Sequence, residues 1–277
     1  MFQRLSNSWE LVKASARVLS ADKELAVFPL ISAGALLLVS AFFVVPLVLV
    51  GLDGRVTDSP LGVVAALLFY VATSFVIFFC NSALVGAALI RLRGGDPTVA
   101  DGFRIASGKA GLILGYAVVV ATVGVLLRAI QERAGLLGRI VTGLVGIAWN
   151  LATFLAVPVL VSEEVGPVEA VQRSASLLRR TWGEQVVGNF GVGTVTGLAG
   201  FALTVTFVPL VVLAAASTST LLLGLTIGAY VFSLMALALA SATLSGIYTA
   251  AVYRYAAEGV VGGGFEPAMV QGAFRPR

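Results

Sequence analysis

Three sets of residues in this sequence have types that could do chemistry. The first is the carboxylates Asp101, Glu163 and Glu164, which stand in charged strips beside basic residues. Paired carboxylates can act as general acid and base, but only at a fixed separation across a substrate. No such spacing is present here. The 277 residues include no histidine. That removes the commonest general base, the commonest metal ligand and the usual partner of a nucleophile. The run GNFGVG at 188–193 has glycines but no Walker lysine and no strand before it, so it is not a phosphate loop. No catalytic residue, metal or cofactor is expected, and an enzyme is the least favoured reading.

The second set is polar but uncharged and lies inside apolar runs: Asn81 with Ser82, Asn150 with Thr153, and Ser241 with Ser245. Together they could form a weakly polar centre between helices. The plainer reading is interhelical hydrogen bonding, worth roughly 0.6 kcal/mol per contact in a bilayer. Asn150 stands out because its amide has both donors and acceptors to satisfy near the middle of its run. The third set is cationic: Arg4, Lys13, Arg17, Arg173, Arg179 and Arg180. These are candidate contacts for anionic lipid headgroups, which attract each such charge by about 1 kcal/mol near the surface.

The elements that must position these residues follow from composition. The chain is 58% hydrophobic and 12% charged. Soluble domains run at roughly 45–50% and about 25%. The net charge of +4 is small and confined to certain loops, which suits lipid headgroups and not nucleic acid. The single cysteine, Cys80, lies in an apolar run and can form no disulfide within the chain.

Charge-free runs recur along the sequence, and each is long enough for a spanning helix of about 20 residues. Six spans are expected, at about 26–51, 61–90, 110–127, 140–161, 186–213 and 221–253. The last two divide one uncharged run from 185 to 253 at the turn AAASTST, 214–220. Residues 1–255 then form one integral membrane domain, and 256–277, with three consecutive glycines and two prolines, a flexible cytoplasmic tail. The fold class is all-α: a polytopic bundle of three helical hairpins, each preceded by a cytoplasmic amphipathic helix. In the first of these, Phe2, Leu5, Trp9, Val12, Ala16 and Leu19 follow helical spacing. A stripe with Trp opposite a basic face fits a helix lying at headgroup level.

Basic residues set the orientation. Fourteen lie on the side shared by the N-terminus, 91–109, 162–185 and the tail, against four on the other. Both termini are therefore expected in the cytoplasm, with the protein multi-pass in the cell membrane. An internal repeat is also legible. VKASARVL at 12–19 aligns without gaps with VQRSASLL at 171–178. Pro97 and Ala100 align with Pro167 and Ala170, and SALVGAALIR at 82–91 with SGIYTAAVYR at 245–254, with 153–162 taking the same spacing. Three parallel copies of strip, span, turn and span would give this pattern. The pairs Gly111–Gly115, Gly193–Gly197 and Gly224–Gly228 have the spacing of close helix packing, within the chain or in self-association.

The segments RLSNSWELVKASARVLSADKELAVFPLI and PVEAVQRSASLLRRTWGEQVVGNFG, with the plan of six spans, resemble an uncharacterised prokaryotic membrane family, domain-of-unknown-function family 6159. The resemblance covers nearly the whole chain. It implies a multi-span integral membrane protein and supplies no activity or substrate. The expected function is non-enzymatic, in membrane organisation or partner binding, with membrane lipids as the first partners. The alternative is a permease or channel for a small neutral or lipophilic solute, lined by the even spans.

Overall fold

A computed structural model describes residues 2–49, 60–133, 135–182, 191–217, 219–260, 262 and 265. Among these the chain is helical and has no strand. The order is α1 (Phe2–Ala21), a 3-10 turn (Lys23–Ala26), α2 (Val27–Leu49), α3 (Pro60–Leu92), α4 (Val99–Gly108), α5 (Ala110–Arg133), α6 (Leu136–Thr153), α7 (Ala156–Ser162), α8 (Pro167–Trp182), α9 (Gly191–Ala216) and α10 (Thr220–Glu258). Six helical segments are long and apolar enough to cross a membrane: α2, α3, α5, α6 with α7, α9 and α10. They suggest a multi-pass membrane protein. The reason is general: without water, backbone N–H and C=O groups must bond within the segment, and a charge-free run has only the helix for that.

Local chemistry fixes the ends of these helices. α4 starts in a capping box: the Asp101 N–H donates to Thr98 Oγ1 at 3.2 Å, and the Thr98 N–H donates back to Asp101 Oδ2 at 3.0 Å. α10 stops at Gly259, whose φ of 72° is the left-handed conformation that glycine takes without penalty. The fourth span is broken at Phe154–Leu155, between α6 and α7. Pro158 explains the position of the break. Its ring clashes with the carbonyl four residues earlier, at Phe154, and it has no N–H to donate there. Pro46 and Pro209, by contrast, lie within α2 and α9, which continue past them.

The spans observed differ from the expected ones mainly in length. α5 runs on to Arg133, and α10 covers 39 residues. At 1.5 Å per residue α10 is about 58 Å long, nearly twice the hydrocarbon thickness of about 30 Å. The excess is not idle. Its residues from Thr243 to Tyr253 are almost all buried, whereas Leu221, Leu225 and Phe232 nearer its start are exposed. α3 is divided the same way, with Val64 and Leu68 exposed and Ala83 to Leu89 buried.

The core therefore sits at one end of the bundle. There α3, α7 and α10 pack on one another, and the short helices close around them. α1 packs on α9 and α10, α4 on α3, and α8 on α5, α6 and α7. Their packed faces follow helical spacing: Leu11, Ala14, Ser15 and Val18; Gly102 and Ala106; Ala170, Ser174, Leu177 and Leu178. In α1 this face is not the apolar stripe expected from the sequence. Trp9 and Ala16 of that stripe are exposed, and Val12 and Leu19 are half-buried. Val12 and Leu19 still pack on the core from its edge, so among the described residues of the stripe Trp9 and Ala16 stay open.

The polar turn expected at 53–60 lies outside the described residues except for Pro60, as do 183–190 ahead of α9. Of the tail, 256–260, 262 and 265 are described, and Phe265 is buried in the core.

Candidate functional site

Two places gather the polar residues: the packed end of the bundle, called the base below, and a cavity beside it. At the base, Glu163 follows α7 and is a hub. Arg173 of α8 donates from Nε to its Oε2 at 3.1 Å and its Oε1 at 3.3 Å. The Tyr253 hydroxyl of α10 donates to Oε1 at 3.2 Å, and Lys109 Nζ donates to the Glu163 carbonyl at 3.4 Å. A second hub is Glu258, which pairs with Arg93 at 2.6 Å and Arg254 at 3.1 Å. Arg254 also donates to the Leu92 carbonyl, tying α10 to the end of α3. Glu24 Oε2 accepts from the Val99 N–H at 2.8 Å, and the Ala21 carbonyl accepts from Arg91 at 3.5 Å. These bonds bring the end of α1, the 91–109 loop, the 162–182 strip and the end of α10 to one end of the molecule.

Two carboxylates at this base are perturbed in opposite directions. Hydrogen bonds from the Thr98 hydroxyl and backbone, aided by Arg104, hold Asp101 below the usual carboxylate range. Burial pushes Asp22 up, against the bond its carboxylate accepts from the Glu24 N–H at 3.2 Å. Its Oδ2 is buried with no hydrogen-bond partner among the described residues. Asp101 is thus engaged in capping its own helix and pairing with Arg104, whereas Glu163 joins α8 and α10 to the end of α7. Glu164 is exposed.

The cavity measures about 460 Å³ and lies between α2, α3 and α10. Its polar lining comes from Ser32, Cys80, Asn81, Ser245 and Thr249. The Thr249 hydroxyl is turned back on the Ser245 carbonyl at 2.7 Å. Ser32 of α2 and Cys80 of α3 line the cavity from opposite helices. Leu36, Ile77, Met235 and Leu239 supply apolar walls. Gly246 keeps α10 close to α3, since a Cβ there would run into Leu84.

The structure brings together Asn81 and Ser245 from the expected polar centre and disperses the rest. Ser82 points into the core, fully buried, its hydroxyl without a partner among the described residues. Asn150 is exposed on α6. The Thr153 hydroxyl donates to the Trp149 carbonyl of its own helix at 2.8 Å. Ser241 is half-buried and does not line the cavity. Of the cations, Arg17, Arg179 and Arg180 are exposed and make no ion pair with the described residues. Lys13 pairs with Glu10 at 3.1 Å, and Arg173 is held by Glu163. The side chain of Arg4 lies outside the described residues.

Sequence reasoning missed Tyr253, Ser174 and the cavity residues Ser32 and Thr249. For Ser174 a signal existed, because it aligns with Ser15 and both are fully buried. The glycine pairs were expected to pack within the chain. Gly115 does meet Pro167 of α8, but Gly111, Gly193, Gly197, Gly224 and Gly228 face open space.

Compared with known proteins, residues 60–264 match a family of unknown function (DUF6159). No curated protein and no solved structure matches the chain.

Proposed function

We propose that this chain, which belongs to the DUF6159 family, is a non-enzymatic protein of the cell membrane that gathers anionic lipid at its cytoplasmic face. In this reading α1, α4 and α8 lie at headgroup level as amphipathic helices, and both termini are cytoplasmic. One observation carries it: Arg17, Arg179 and Arg180 are exposed without ion-pair partners among the described residues, whereas Arg91, Arg93, Arg104, Arg173 and Arg254 are all paired. Trp9, half exposed on α1, is the kind of side chain an interfacial helix would turn to the acyl boundary.

The base is built, on this reading, from three copies of one unit. Support comes from burial at aligned positions. Residues 84–89, 155–160 and 247–252 are buried throughout, save Thr249. Each short helix also packs on the span pair preceding its own, with α1 closing on the last pair. The permease alternative has less support, since Asn150 and Ser241 do not share the cavity with Asn81.

The test is lipid selectivity. The full chain is reconstituted in phosphatidylcholine with spin-labelled phosphatidylglycerol or phosphatidylcholine, and the motionally restricted fraction is measured. A preference for the anionic label that falls with salt and in R17Q/R179Q/R180Q is expected. Equal restriction of both labels in the wild type contradicts the reading.

A further inference from the structure

We propose that the cavity between α2, α3 and α10 is a binding site for one uncharged amphiphile with a hydrogen-bonding head and a single apolar chain, of the monoacylglycerol class. The order of the lining residues along the helices carries this. α2 leaves the base while α3 and α10 return to it, so Asn81, Ser245 and Thr249 mark the end nearer the base. Leu36, Ile77 and Met235 mark the end towards the exposed apolar halves of the spans. The cavity is thus polar at one end and apolar at the other, in the sense of a lipid of the leaflet next to the base.

The head is defined by what lines the polar end. The Asn81 amide and the Ser245 hydroxyl make no hydrogen bond to the described residues, although an amide alone offers two donors and an acceptor. In an apolar surrounding such groups are costly to leave unbonded. No Asp, Glu, Lys or Arg lines the cavity. A phosphate or ammonium head would therefore enter without a counter-charge, which excludes phospholipids on desolvation grounds. A bare hydrocarbon would leave Asn81 unbonded. The cavity volume of about 460 Å³ lies within the roughly 300–1,000 Å³ typical of small-ligand pockets. Access is from the side, because Ile77 and Met235 at its apolar end are exposed where the acyl chains would be.

The experiment uses the full chain in phosphatidylcholine nanodiscs and a monoacylglycerol carrying a diazirine in its chain. Photolabelling is expected in peptides holding Ile77 and Met235, and unlabelled monoacylglycerol should compete it away. Asn81→Leu should lower apparent affinity about tenfold, the equivalent of one net hydrogen bond. Ala242→Phe, which fills the cavity from α10, should abolish labelling. Should that variant fail to fold, Met235→Phe at the apolar end provides the same block. Labelling unchanged by Asn81→Leu and by the filling variant would overturn the proposal. So would equal competition by hexadecane, which marks an apolar groove only, or by phosphatidylglycerol, which marks the general lipid shell.

Discussion

The Ser174 hydroxyl accepts a buried hydrogen bond of 2.9 Å from the Leu155 N–H, 19 residues away in sequence. Pro158 breaks the fourth span just there, and Phe154 turns its own N–H to the Leu151 carbonyl at 3.2 Å in a tighter turn. The Leu155 N–H is left without its usual partner, and α8 supplies one. A helix lying across the base thereby fixes the bend of a span.

Removing that oxygen leaves a buried donor unbonded. Ser174→Ala is expected to destabilise the protein by about 1–3 kcal/mol. Ser176→Ala is the control, because its hydroxyl only returns to the Arg173 carbonyl of the same helix. It should change stability by less than about 0.5 kcal/mol. Denaturant unfolding in mixed micelles measures both, and equal shifts would dissociate Ser174 from the bend.

Close approach of α4 to α3 depends on Gly102. A Cβ there would lie 2.5 Å from Phe28 Cζ and 2.7 Å from the Ala83 carbonyl oxygen. A backbone oxygen cannot rotate aside, so Gly102→Ala should cost about 1–3 kcal/mol. Gly111→Ala, in open space on α5, should be neutral or stabilising by up to about 1 kcal/mol through helix propensity. Thermal midpoints of the two variants should therefore move in opposite directions or differ by several degrees; matching shifts would contradict the packing.

Asp101 and Asp22 should give opposite pH dependences. The folded-state pKa of Asp101 is lowered from 3.8, so its stabilising contribution is present above that value and is lost as pH falls through the lower folded value. That of Asp22 is raised from 3.8, so its contribution is full below that value and is lost as pH rises through the higher folded one. Asp101→Asn should thus lower stability at pH 7 and flatten the acid limb. Asp22→Asn keeps an acceptor for the Glu24 N–H without the charge and should raise stability at pH 7. Unfolding midpoints between pH 3 and 7 test both signs, and a loss for Asp22→Asn at neutral pH would contradict the burial argument.

The helices were legible in the sequence because charge-free runs leave the backbone no other way to bond itself, and the run from 185 to 253 divided at its one turn. Lengths were less legible. Where α10 passes from lipid-like exposure to a packed core, its residues stay apolar, so Leu225 and Val252 read alike although one is exposed and the other buried. The polar centre was only partly legible for a related reason. Helical periodicity in an all-apolar span does not say which side faces a neighbour, and so Asn81 reached a cavity while Asn150 faces outward. The break at Phe154 follows from Pro158, but its partner Ser174 is set by tertiary packing that the sequence hints at only through the alignment with Ser15.

In the proposed orientation six spans hold the packed base on the cytoplasmic side. Cys80 is the only cysteine and is buried, so Cys80→Ala gives a clean background for single cysteines. In that background a membrane-impermeant maleimide is applied to Arg180→Cys at the base and Arg128→Cys near the far end of α5, in intact cells and in inverted vesicles. Arg180→Cys should react only in inverted vesicles and Arg128→Cys only in intact cells. Reaction of both from the same face would contradict the proposed orientation.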